Sequence, residues 1–216
     1  MAILRRHFLT WLTGVSLVLV TAACGAETPA WQQGTHYDVI NPAVRVGASD
    51  EVVVTEFFWY GCGHCYTFEP LLDTWKGSLP SGVVVKGSPA IWNGPMELHA
   101  RAFYVAEALG VLDVMHPVIF NAMHVQRLRL GSKSAVRELF VANGIAGADF
   151  DKAFDSFGVN SQVRQADARA KSAKITGTPS LMVNGKYLIT AQKAGGQANM
   201  LKVAEYLADL ELAAGS

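Results

Sequence analysis

The stretch Glu51-Val52-Val53-Val54-Thr55-Glu56-Phe57-Phe58-Trp59, followed by Tyr60-Gly61 and then Cys62-Gly63-His64-Cys65, decides how this chain is read. Residues 51–59 are mostly β-branched and aromatic, too few for a typical helix and bounded by turn formers. That is the pattern of a buried strand, and Gly61 ends it. From about Gly63 to Trp75 the apolar spacing becomes helical, interrupted at Pro70, where the missing backbone N–H predicts a kink. A second strand is expected over Val83 to Lys86. Strand, helix and strand within roughly 36 residues make a βαβ unit, with a right-handed crossover and a parallel strand pair.

Working outward, the pattern from Pro95 to about Ala173 is helical. Leu98, Ala102, Val105, Ala106 and Leu109 form one stripe that stops at Gly110. Val136, Leu139 and Phe140 form a second, closed by Asn143-Gly144, and Phe150, Ala153, Phe154 and Phe157 a third, read as core; a polar helix then starts near Asn160 or Ser161. Further on, Asn184-Gly185 between Ser180–Val183 and Lys186–Thr190 is a strong hairpin signal. A final helix carries Leu201, Ala204, Leu207 and Ala208 on one side. Strands near both ends with helices between them predict an α/β fold: one mixed sheet interrupted by a helical insertion.

Half of the 216 residues are hydrophobic and 17% are charged, the composition of a globular protein. Lys plus Arg equals Asp plus Glu at 18 each, and no basic run is present that would neutralise a row of phosphates, so nucleic acid is not an expected partner. Arg5, Arg6 and His7 precede an apolar stretch from Phe8 to Val20 that ends in small residues, the form of an export signal. The paired arginines suit either the twin-arginine route or the general one. Export places the three cysteines where disulfides persist. Thr21-Ala22-Ala23-Cys24 resembles a lipoprotein cleavage site, except that Thr21 stands where a larger aliphatic residue is usual; Cys24 is either lipidated or removed with the signal.

Cys62 and Cys65 lie one helical turn apart at the start of a helix that follows a buried strand. The unpaired N–H groups and the positive end of the helix dipole meet the first sulfur, which stabilises a thiolate and makes Cys62 the expected nucleophile. Cys65, deeper in the helix, is then the thiol that resolves a mixed disulfide. Zinc would need two more ligands, and neither Cys24 nor a suitably spaced His pair supplies them, so no metal is expected. His64, between the sulfurs, either adds positive charge beside Cys62 or is simply exposed; the other histidines read as surface or core residues. Glu56, inside so apolar a run, needs a raised pKa or a partner, unless it faces solvent from a half-buried strand.

The run from Glu56 to Glu69, together with Gly177-Thr178-Pro179 and Val183-Asn184-Gly185-Lys186-Tyr187, resembles the DsbA family of bacterial periplasmic disulfide oxidases. The resemblance covers nearly the whole chain after the signal. It implies a thioredoxin fold with an inserted all-helical domain: residues 1–26 as signal (ending at 23 if of lipoprotein type), 27–94 and 167–216 as the two parts of the thioredoxin fold, and 95–166 as the insertion. It further implies that Pro179 is a cis-proline facing the cysteines, and that Glu56 and Lys86 carry protons near the buried sulfur. Unfolded or reduced exported proteins are the implied substrates, and a quinone-linked membrane oxidase of the DsbB type the implied recharging partner. The cysteines themselves carry the electrons, so no organic cofactor is expected.

Gly63 and Thr178 depart from the best-known pattern of the family, which has proline and valine there, and resemble disulfide isomerases instead. Both positions tune how far the thiolate is stabilised. An isomerase or reductase is therefore the alternative activity, with a redox-inert peptide-binding chaperone as a third reading. Glu27 to Asp50 leaves no room for an extra dimerisation domain, so a monomer in the periplasm is expected, soluble or lipid-anchored to a membrane through Cys24.

Overall fold

A computed structural model describes residues 30–47 and 50–215. Cys24 and the expected signal segment lie outside the described residues. In chain order the elements are β1 (Asp38–Val39), β2 (Val52–Phe58), α1 (Gly63–Lys76), β3 (Val83–Pro89), α2 (Gly94–Ala108), α3 (Leu112–His124), α4 (Lys133–Ala142), α5 (Gly147–Phe154), α6 (Phe157–Ser172), β4 (Ser180–Val183), β5 (Tyr187–Thr190), α7 (Ala191–Ala194) and α8 (Gln197–Gly215). The sheet order is β1-β5-β4-β2-β3. The β2–β3 pair is parallel, the other pairs are antiparallel, and α2 to α6 are inserted between β3 and β4.

Every residue of β2 is buried, because helices cover both faces of this central strand; that is why its sequence, Thr55 and Glu56 apart, is apolar on both faces instead of alternating. Val52 and Val54 pack with Phe68, Leu72 and Trp75 of α1 and with α8, while Phe57 faces the other way, against Ala170, Ala173 and Met182. Phe58 lies at the end of the strand in a third cluster, with Tyr60, Phe103, Met115 and Phe120. Helix α6 serves two of these clusters. Val159, Val163 and Ala166 belong with the inserted helices, and Ala170 and Ala173 lie beneath the sheet.

Strand β3 runs three residues past the expected Lys86, because it pairs with the whole of β2 as far as Phe58 opposite Pro89. The hairpin forms as expected, with Asn184 (φ 49°) and Gly185 (φ 71°) both left-handed. A Cβ at Gly185 would lie 1.9 Å from the Val44 carbonyl oxygen, so the turn admits only glycine there. The third stripe is shorter than expected. Phe150 and Phe154 are buried, but Phe157 opens α6 one residue after its N-cap Ser156 and is 80% exposed. No helix among the described residues is long and apolar enough to cross a membrane.

Candidate active site

Helix α1 begins where β2 ends, and the Cys62 side chain is its N-cap: the Cys65 backbone N–H donates to Cys62 Sγ at 3.4 Å. Gly61 makes the intervening turn possible, because a Cβ there would lie 2.3 Å from the Trp59 ring. Neither cysteine is in a disulfide in this structure. Their surroundings are opposite. The Cys62 pKa is lowered to about 5, chiefly by a hydrogen bond from the Cys65 thiol; burial works against this, and the Thr178 side chain and the backbone N–H groups of Cys65 and His64 assist it. Cys65 is fully buried, and that burial, with the hydrogen bond to Cys62, pushes its pKa far up.

The Thr178–Pro179 peptide bond is cis. Its loop reaches the nucleophile, with the Thr178 carbonyl accepting from Cys62 Sγ at 3.4 Å. That contact favours the thiol, whereas the Thr178 side chain favours the thiolate, so this residue acts on Cys62 in two opposed senses. Beside it lies an open groove of about 780 Å3, lined by His64, Thr176, Thr178, Pro179, Thr190 and Gln197. His64 is exposed and reaches the sulfur through its backbone N–H; its carbonyl accepts from Gln197 Nε2 at 2.6 Å, which ties α1 to the start of α8. A Cβ at Gly63 would meet nothing within 4 Å, so packing does not require glycine at that departure from the family pattern.

Glu56 is 3% exposed and its Oε1 has no hydrogen-bond partner. Burial holds its carboxyl well above the usual range, and the neighbouring Glu69 raises it further. The strand therefore does not turn this acid to solvent. Lys86, by contrast, is not brought to it. Lys86 pairs with Thr55, and Glu56 pairs with Gly87, so the lysine is on the opposite face of the sheet, where it lines a cavity with Thr55 and Arg169. No side chain from β3 takes its place, since a Cβ at Gly87 would already touch the Phe103 ring at 3.0 Å. The cation acting on Glu56 is Lys76 of α1. Glu69, Asp73 and Lys76 follow Cys65 at helical spacing, a signal legible in the sequence but not singled out there.

Three histidines hold the segment just before the cysteines, which reading them as ordinary surface or core residues did not anticipate. Trp59 Nε1 donates to His99 Nδ1 at 3.0 Å. Tyr60 is held at both ends from α3: its hydroxyl is 2.8 Å from His116 Nδ1, and its carbonyl accepts from His124 Nε2 at 2.7 Å. His116 Nε2 lies 3.3 Å from Glu69 Oε1, an ion pair only when the imidazole is protonated and too poorly aligned to count as a hydrogen bond. His124 also stacks on Tyr66, with ring centroids 4.8 Å apart.

A sheet, a helix capped by an acidic thiol and a second thiol buried one turn later, all facing a cis-proline loop, define a thiol-disulfide oxidoreductase of the thioredoxin fold. The DSBA-like thioredoxin domain family matches residues 81–208. The thiol:disulfide interchange protein DsbA of Azotobacter vinelandii is 37% identical over 204 residues, covering 94% of this chain and 95% of that one. That of Bordetella pertussis is 38% identical over 201 residues, covering 90% and 96%. The crystal structure of Pseudomonas aeruginosa DsbA superposes with a TM-score of 0.81 at 33% identity, covering 85% of this chain and 96% of that one. The chain belongs to the DsbA family and is a disulfide-forming oxidoreductase.

Proposed function

We propose that the protein works in the periplasm as a monomeric oxidase, passing its Cys62–Cys65 disulfide to reduced exported proteins, with no organic cofactor or metal. The observation that carries this reading is the contrast between the sulfurs: Cys62 is a thiolate at neutral pH and Cys65 a buried thiol. In the first step a substrate thiolate attacks Cys62 Sγ. The Cys62–Cys65 bond breaks, and its electron pair goes to Cys65 Sγ, which must take a proton because its surroundings do not tolerate a charge. Glu56 keeps its proton far above the usual carboxyl range and is the group we assign to supply it. In the second step another substrate thiolate attacks the substrate sulfur of the mixed disulfide. Cys62 leaves as a thiolate and needs no proton.

Two substrate thiols thus become one disulfide, and the enzyme holds two electrons. Recharging returns them through the same sulfurs to a quinone-linked membrane partner of the DsbB type. The groove beside Pro179 is the seat we assign to the substrate chain, and Thr178 and Gly63 the tuning positions next to it. Equilibration with glutathione tests the reading. A disulfide that exchanges readily with the glutathione pool supports an oxidase, and one with a potential below about −300 mV overturns it in favour of an inert bond. Location is tested apart from chemistry. A lipid anchor at Cys24 predicts membrane partitioning that is lost on Cys24→Ala, and a wild-type protein free of membranes rules the anchor out.

A further inference from the structure

We propose that His116, acting through Glu69, is the outlet by which the buried Glu56 exchanges its proton with solvent. The proposal rests on Glu56 serving Cys65 as described above. It makes His116 a positioning residue for the proton transfer and not a catalytic one, since it touches neither sulfur nor substrate.

Glu56 sits in a strand covered on both faces, so a proton on its carboxyl reaches bulk water only by way of the cavity it lines. Each discharge of the disulfide takes one proton from it, and each recharging, in which Cys65 must lose its proton, gives one back. A cavity of about 410 Å3 supplies the passage: Glu56 and His116 line it, and the exposed Asp73, Lys76 and Asp113 stand where it reaches the surface. Glu69 is the strongest charged neighbour of Glu56, and its own Oε1 is buried, without a hydrogen bond, at 3.3 Å from His116 Nε2. Two buried carboxyl oxygens are thus left without partners, one on Glu56, which lines the cavity, and one on Glu69, which reaches its edge through His116. An orphaned buried acceptor is costly unless it is occupied part of the time by a proton or by water.

The imidazole keeps its contacts in either protonation state. When neutral, it accepts the Tyr60 O–H at Nδ1 and presents N–H at Nε2 towards Glu69; when protonated, it donates from Nδ1 to the Tyr60 oxygen instead. Tyr60 is fully buried, and that burial raises its pKa well above the usual value, so it does not compete as an acid. The charged and titratable groups facing His116 are Glu69, Asp73 and Lys76 from α1, Glu56 from β2, Tyr60 from the segment after β2, and Asp113 from its own helix. Lys76 and Asp73 pair with each other at 3.1 Å, so neither blocks the passage as a lone charge.

The steps balance. Glu56 gives its proton to the departing Cys65 thiolate. The imidazole takes a proton from water in the cavity, the hydroxide passing to solvent, and hands one to the Glu69 carboxylate, which passes one to Glu56. On recharging, Cys65 returns its proton to Glu56 and the relay carries one out in the reverse direction, so a full cycle leaves it unchanged.

The test is the steady-state rate at which the protein oxidises a small thiol while oxidised glutathione recharges it, across the range from about pH 5 to pH 8, because the first discharge spends only the proton Glu56 already holds. His116→Gln keeps one polar contact but cannot carry a proton; we expect it to slow this step by about 10-fold and flatten its pH profile. Equilibrium with glutathione should stay within about twofold of wild type, because a relay changes rates and not end states. Imidazole added to His116→Ala should restore most of the lost rate, and the same addition to Glu56→Gln should restore none. A wild-type pH profile in His116→Gln, or no rescue of a folded His116→Ala, overturns the outlet. Should Glu56→Gln itself react like wild type, the assignment of Glu56 falls, a result distinct from failure at His116 alone.

Discussion

The lowered Cys62 pKa makes a prediction about stability that can be worked through. Cys62 titrates at about 5 in the folded reduced protein, against 9.0 for an unperturbed thiol. Between about pH 5 and pH 9 the unfolded reduced chain therefore binds more protons at this site than the folded one, so the folded reduced protein gains stability as pH rises. The gain is complete above the unfolded value and is lost as pH falls through the folded one. At pH 7 about two pH units of that window have been crossed, worth roughly 2.7 kcal/mol at about 1.4 kcal/mol each. Cys62 is only partly buried and solvent screens part of the effect, so roughly half of this, about 1.4 kcal/mol or some 30 mV, is the reasonable expectation. The oxidised protein lacks the titrating thiol, and its disulfide restrains the unfolded chain by an amount independent of pH. Cys65 keeps its proton throughout the range. The assay is urea unfolding of both redox forms at several values between about pH 5 and pH 8, with a parallel run in Glu56→Gln to remove the coupled carboxyl. The stability of the reduced form relative to the oxidised one should grow by roughly 0.7 kcal/mol per pH unit. A gap that does not change with pH, or thiolate absorbance with a midpoint near 9, would refute the reasoning.

Cys62→Ser should abolish thiol oxidation, while Cys65→Ser should accumulate mixed disulfides with reduced substrates on non-reducing gels; trapping by Cys62→Ser instead would exchange the two roles. Because burial holds the Glu56 proton on, its carboxyl costs stability increasingly as pH rises above the usual carboxyl range. Glu56→Gln should therefore stabilise the fold by roughly 1–3 kcal/mol near pH 8 and by little near pH 4, and equal effects at both would contradict its burial as an acid. Glu211 of α8 accepts from Asn184, Lys186 and Tyr187 of the hairpin, with its side chain 6% exposed. Glu211→Ala should lower the unfolding free energy by roughly 2–4 kcal/mol, and a loss under about 0.5 kcal/mol would show that the helix and hairpin are held by apolar packing alone.

What could be read from one sequence follows how local each signal is. Strand β2, helix α1 and the β4–β5 hairpin were legible because continuous apolar composition, helical spacing and an Asn-Gly turn are each set within a few residues. Helix α3 was not singled out: it is apolar on several sides, contains Pro117 and has no side-chain N-cap, so it carries neither a clear stripe nor a clear start. The two histidines that grip Tyr60 went unseen with it. The assignment of Lys86 failed to meet Glu56 for a different reason. Which β3 residue stands beside Glu56 depends on strand register, and a shift of one position moves a side chain to the other face of the sheet. Cys65, Glu69, Asp73 and Lys76, by contrast, share one helix, where spacing alone predicts a common face; that signal was present and local.

The asymmetry of the two sulfurs comes from where α1 starts relative to its buried stripe. Cys65, Phe68, Leu72 and Trp75 are the buried residues of this helix, at spacings of three, four and three. Cys65 is thus the first rung of the face that packs into the protein, and the burial that deprives it of charge is the burial any apolar residue at that position would have. Cys62 lies one turn earlier, before the stripe begins, at the N-cap, where its sulfur receives the Cys65 thiol hydrogen bond first and then backbone N–H groups that have no partner within the helix. A helix start placed one turn before a buried stripe therefore yields one thiol that ionises readily and one that does not, without a charged side chain between them. His64 fits this account, since what it contributes to the sulfur is its backbone N–H. Gly63 fits it as well: with nothing within 4 Å of a Cβ there, substitution can alter the character of the first turn while leaving the start of the helix, and so the contrast between the sulfurs, in place.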